Sequence, residues 1–143
     1  MIESAAEFER LRLSEDPAEY NRAAGEPASF EVWMDVVTNY PHLRFWVAQN
    51  KTVPLEMLEL LADDPDFQVR RMVAMKRKLP AALLAHLADD SDAPVRASVA
   101  RHRKTPDEVL RRLADDPVEL VRREARKRFP SPHRPIEGEG SSR

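Results

Sequence analysis

The side chains best equipped for chemistry are paired aspartates, arginines at a fixed distance from them, and four histidines. Leu-Ala-Asp-Asp occurs at 61–64, 87–90 and 113–116, a step of 26 residues each time. Paired carboxylates suit acid–base work. Their recurrence in every full repeat argues for a structural role instead. Asp64, Asp90 and Asp116 precede a second helix and stand ready to cap its free N–H groups, an interaction worth about 1 kcal/mol each. His42, His86, His102 and His133 fall at different positions of the repeat, and none is four residues from another, so they read as surface side chains rather than metal ligands. The absence of cysteine excludes a thiolate metal site, an iron–sulfur cluster and a cysteine nucleophile. No glycine-rich phosphate loop occurs. With no clustered catalytic set, the expectation is a protein that is not an enzyme and carries no cofactor.

Cations collect where second helices end: Lys51 in the first repeat, then Lys76, Arg77 and Lys78, then Arg103 and Lys104, then Arg126 and Lys127. Cations suit the carboxyl end of a helix dipole without any ligand. Parallel stacking at the usual helix spacing would nevertheless align them into a basic ridge about 30–40 Å long. Such a ridge could follow an acidic protein or a phosphate backbone. Residues 1–69 carry 14 acidic and 5 basic side chains and residues 70–143 carry 11 and 18, but the net charge of −2 counts against nucleic acid.

A partner surface need not repeat as a core must. One turn apart on the second helices, outside the apolar stripe, lie His42, Phe45, Trp46 and Gln49, then Gln68, Arg71, Met72 and Met75. Pro94, Ala97, Ser98 and Arg101 follow, then Leu120, Arg123, Glu124 and Lys127. Large aromatics and methionines beside arginine are common binding anchors. The candidate partner-binding residues are therefore Phe45, Trp46, Gln49, Arg71, Met72, Met75 and Arg101. Phe45 and Trp46 have a second reading, as side chains covered by the N-terminal segment. Trp33 reads as a core or cap contact.

The elements that position these residues follow from the period. Pro54, Pro80, Pro106 and Pro132 keep the step of 26, as do Arg44, Arg70, Arg96 and Arg122, and the apolar series Leu43, Val69, Val95 and Val121. The spacing predicts repeats at 29–54, 55–80, 81–106 and 107–130, each of two short helices. The first helix begins with proline at its first position, and Thr105 with Glu108 forms a capping box. Leu58, Leu61 and Ala62 face inward, as do Leu84, Leu87 and Ala88, and Leu110, Leu113 and Ala114. The second helix runs from about Asp66 to Arg77 with Val69, Val73 and Ala74 inward, and Asp116-Pro117-Val118-Glu119 starts its counterpart. Residues 1–28 form a helical cap, with Phe8, Leu11 and Leu13 as its apolar stripe. Residues 131–143 form a disordered tail. No run approaches the ~18 apolar residues of a membrane span, nor does the N-terminus have the apolar core of a secretory signal. A cytoplasmic protein with no membrane contact is expected.

Leu61-Ala-Asp-Asp-Pro-Asp-x-x-Val-Arg-x-x-Val-Ala74, followed by Thr105-Pro-x-x-Val-Leu-x-x-Leu113, resembles the variant leucine-rich repeat and, more broadly, the HEAT-like repeats. The resemblance covers about residues 29–130. It implies a right-handed superhelix of paired helices, commonly used for protein binding, in which the aspartates and arginines can bond between neighbouring repeats. The iron–sulfur cluster of the best-known variant leucine-rich repeat architecture does not transfer without cysteine, nor do the His-Glu pairs of HEAT-like hydroxylases, which are absent. The expected fold is all-α: a short right-handed α-solenoid of four 26-residue two-helix repeats with an N-terminal helical cap. The expected function is non-catalytic binding of a protein partner, in the manner of small bacterial immunity or regulatory proteins of HEAT-like type. The alternative is a nucleic-acid-binding protein using the basic ridge.

Overall fold

The computed structural model describes residues 1–129, which are helical with no strand among them. Neither the tail expected at 131–143 nor His133 lies within these residues. The described chain divides into two compact units, residues 1–79 and the residues from Pro80 onward. No described helix is long and apolar enough to cross a membrane.

The first unit holds α1 (Ala5–Leu13), α2 (Pro17–Gly25), α3 (Phe30–Asn39), a single 3-10 turn (Pro41–Leu43), α4 (Arg44–Gln49), α5 (Leu55–Leu61) and α6 (Phe67–Ala74). At 6 to 10 residues, these helices are too short to persist alone. They persist by packing. Helix α1 touches α2 and α3, α2 touches α4, α3 touches α5, and α4 touches α6. Every second helix is thus a neighbour, as in a helical solenoid, and α1–α2 enter the stack as one more pair. Ser4 caps α1 by accepting from the Glu7 N–H, and Asp16 caps α2 by accepting from the Ala18 N–H. Phe8 and Leu11 are buried, and Phe8 meets Trp33 edge to face at 5.3 Å. Trp33 is 1% exposed, a core contact with the cap as expected, whereas Leu13 is 66% exposed and not part of the stripe.

The second unit holds α7 (Ala81–Ala88), α8 (Ala93–Arg101), α9 (Asp107–Leu113) and α10 (Glu119–Arg126). Helix α7 touches α9 and α8 touches α10, the same alternation. Leu84, Leu87, Val95, Val99, Leu110, Leu113, Val121 and Ala125 are buried in it. Full burial of a leucine or valine is worth roughly 1.5–3 kcal/mol, which is how helices of 7 to 9 residues hold.

Several boundaries differ from expectation. Pro54, Pro80 and Pro106 are N-caps rather than first helical residues: their ψ angles of 160°, 155° and 151° are extended, while their carbonyls already accept the first helical N–H groups. Thr105 does not cap α9. Its buried hydroxyl donates back to the Val99 carbonyl at 2.6 Å. Helix α6 stops at Ala74 rather than Arg77, because the chain must turn out to bury Leu79 and meet Pro80 in the extended form that proline imposes on its predecessor. Helix α10 begins at Glu119, with Val118 rather than Asp116 at its N-cap.

Candidate partner-binding surface

The recurring Asp-Asp turns are built identically. Backbone N–H groups of Asp63 and Asp64 donate to the Leu60 and Leu61 carbonyls, and the same bonds recur at Asp89 and Asp90 and at Asp115 and Asp116. The second aspartate then accepts from the N–H two residues on: Asp64 from Asp66, Asp90 from Asp92, Asp116 from Val118. These aspartates brace the turn rather than cap the helix, because the chain needs two more residues before helical geometry begins.

The arginines complete the turn. Arg70 donates to the Asp64 carbonyl at 2.7 Å, Arg96 to that of Asp90 at 2.8 Å, and Arg122 to that of Asp116 at 2.9 Å. Arginine also crosses to the next repeat. Arg44 reaches the Asp64 carboxylate at 3.4 Å, and Arg96 reaches that of Asp116 through two N–H groups at 2.7 and 3.1 Å. Burial pushes the Asp116 carboxyl up, but Arg96, the Val118 N–H and the Arg122 charge outweigh it and hold the group below its ordinary value. Hydrogen bonding to Asp116 raises Arg96 in turn. Both charges are consumed by the fold.

A second series escaped the sequence reading. Buried Asn50 donates through its side chain to the Ala23 and Glu26 carbonyls at 2.7 and 3.0 Å. Lys76 donates to those of Gln49 and Asn50 at 3.3 and 2.8 Å, and Arg128 to those of Ala100 and His102 at 3.0 and 2.7 Å. Each therefore satisfies carbonyls at the end of the preceding second helix, which would otherwise lack a donor. The signal was available, since 50, 76, 102 and 128 are one repeat apart and every one carries a side chain able to donate, but the residue types differ. His102 is buried rather than on the surface, and its Nδ1 accepts from the Lys104 N–H at 3.0 Å. Among the other histidines, His42 is exposed beside Glu9 at 3.1 Å and His86 is exposed.

The residues proposed as a basic ridge thus divide. Lys76 is half-buried on carbonyl groups, and burial pushes its ammonium below the ordinary lysine value. In the first unit Lys51, Arg77 and Lys78 are exposed. In the second, Arg103 and Lys104 are exposed, Lys127 pairs with Glu124 at 3.1 Å, and Arg126 lies 3.8 Å from Asp115.

The face proposed for a partner divides as well. In the first unit α4 and α6 are neighbours, which sets Phe45, Trp46 and Gln49 one repeat from Arg71, Met72 and Met75. Arg71 is exposed, Met72 is half-buried, and Met75 is 52% exposed. Phe45 and Trp46 are half-buried and meet edge to face at 4.9 Å. Trp46 is roofed by the Arg12 guanidinium, 3.6 Å from its ring centroid, so the N-terminal segment covers it in part. Beside it opens a cleft of about 430 Å³ lined by Arg12, Ser14, Tyr20, Asn21, Ala24, Trp46 and Gln49. The lining from α1 and α2 was not foreseen, because the 26-residue pattern does not extend into them. In the second unit, Arg101 is exposed and paired with Glu124 at 3.2 Å, but Ala97 and Ser98 are buried and are not surface positions. Alanine and serine are small enough for close helix contact there. Among the described residues, no three acidic or histidine side chains group as a metal site.

Short helices stacked as alternating neighbours, tied by repeated turn and back-capping bonds, define a helical repeat protein. The leucine rich repeat variant model matches residues 41–66 and 94–118, one stretch in each unit. The first stretch spans the 3-10 turn, α4 and α5, and the second spans α9 and most of α8. Those two stretches are similar to repeats of the leucine rich repeat variant family. No curated protein and no solved structure matches it.

Proposed function

We propose that the chain is a non-catalytic repeat module that binds a protein partner through the second-helix face of its first unit. One observation carries the reading. Helices α4 and α6 set Phe45, Trp46 and Gln49 one repeat from Arg71, Met72 and Met75, with Met75 left 52% exposed and with Trp46 and Gln49 lining an open cleft. Exposed aromatic, methionine and arginine side chains are the usual anchors of an interface. Repeats of this family typically act as scaffolds, which supports a non-catalytic role. The small immunity or regulatory protein is the specific form, by analogy with HEAT-like proteins.

Changing Arg71→Glu together with Met75→Glu tests this. The expected result is loss of partner capture with a thermal midpoint nearly unchanged. Retained capture would sink the proposal.

A second reading has one observation in its favour: Lys51, Arg77 and Lys78 in the first unit, and Arg103 and Lys104 in the second, are exposed cations. Nucleic-acid binding by them would weaken steeply with added salt.

A further inference from the structure

We propose that the cleft between the α1–α2 pair and α4 receives an acidic peptide segment of the partner, with one carboxylate held by Arg12. The inference rests on the protein-binding reading and gives that partner its chemistry. The Arg12 guanidinium sits over Trp46, 3.6 Å from its ring centroid, with the Tyr20 ring 6.0 Å away. Stacking immobilises a guanidinium while leaving its in-plane N–H donors available, the arrangement that accepts a carboxylate with two parallel bonds. Neighbouring cap arginines are spent: Arg10 pairs with Glu19 at 2.8 Å, and Arg22 with Glu26 at 2.7 Å and Glu7 at 3.3 Å. Arg12 has no carboxylate partner among the described residues.

The cleft lining contains no acid. Glu19, the acid bonded to the lining residue Ser14, is taken up by Arg10 and the Ser14 hydroxyl, which keep its carboxyl below the usual range. The Asn21 and Gln49 amides line the same cleft and make no side-chain hydrogen bond among the described residues, so they suit the amide groups of a peptide. One cation in the lining fits one carboxylate. A nucleic-acid strand would need several phosphate contacts to bind.

The test uses a capped, fluorescein-labelled hexaglutamate peptide, a hexaglutamine control and a short single-stranded DNA, read by anisotropy with the full chain. Hexaglutamate should bind and hexaglutamine should not. Arg12→Ala should weaken binding roughly tenfold or more, the usual effect of losing a hydrogen-bonded charge, while Arg12→Lys should lose part of it. Asn21→Asp, which leaves the Arg12 stack in place, should also weaken it by repulsion. Binding that ignores both Arg12→Ala and Asn21→Asp, equal binding of hexaglutamine, or tighter Arg12-dependent binding of the DNA would overturn the proposal. If hexaglutamate fails to bind while Arg71→Glu with Met75→Glu still abolishes partner capture, this inference falls and the protein-binding reading stands.

Discussion

Arg96 grips Asp116 through two N–H groups at 2.7 and 3.1 Å, while a third donor of the same guanidinium holds the Asp90 carbonyl. One side chain thus ties its own turn to the next repeat's turn. Asp116→Ala should cost about 3 kcal/mol, because it leaves the poorly exposed Arg96 charge unpaired and also frees the Val118 N–H. Asp64→Ala, whose partner Arg44 makes one long bond of 3.4 Å, should cost about 1–2 kcal/mol. Denaturant midpoints of the two variants would check the order.

Lysines two residues apart should behave differently. Lys76→Ala removes the donor to the Gln49 and Asn50 carbonyls and should cost about 1–2 kcal/mol. Exposed Lys78→Ala should stay within about 0.5 kcal/mol. Equal thermal shifts would contradict the back-capping role of Lys76.

Acid should loosen the first unit through Glu26. Hydrogen bonding to Arg22, then to the Met1 ammonium, lowers its carboxyl from 4.5 to about 2. A depressed folded-state value contributes stability that is complete above the unfolded value of about 4.5 and is lost as pH falls towards about 2. Stability measured across that window should fall less steeply in Glu26→Gln than in the unmodified chain.

The two tryptophans should be separable by quenching. Trp33 is buried against Phe8, and Trp46 is half-buried under Arg12. Acrylamide should quench Trp46 and spare Trp33. Arg12→Ala should increase that quenching by unroofing the ring. An unchanged response would mean the guanidinium does not sit on Trp46 in solution.

What the sequence disclosed and what it hid share one cause. A strict period marks contacts that every repeat must make, so Val69, Leu84, Leu110 and the Asp–Arg turns could be read directly, and the stacked helical fold with them. Functions that tolerate several residue types leave no such mark. Asn50, Lys76 and Arg128 do one job with an amide, an ammonium and a guanidinium, and only the geometry unites them. Helix α6 ends three residues early, because burial of Leu79 ahead of Pro80 outweighs the helical preference of Lys76 and Arg77. The cleft was invisible for a different reason. Arg12, Tyr20 and Asn21 belong to a helix pair that stacks like a repeat without repeating the sequence, and tertiary packing alone brings them to Trp46.

The back-capping bonds all point one way along the chain. Asn50 serves carbonyls at Ala23 and Glu26, Lys76 those at Gln49 and Asn50, and Arg128 those at Ala100 and His102. Within each unit, these bonds run from a later helix pair to the carbonyls of the earlier one. As the chain leaves the ribosome, each pair must wait about one repeat for the side chain that closes it. Loss of residues from the carboxyl side would therefore leave those carbonyls without their donor, while loss from the amino side would take Arg44 or Arg96 away from the carboxylate of Asp64 or Asp116.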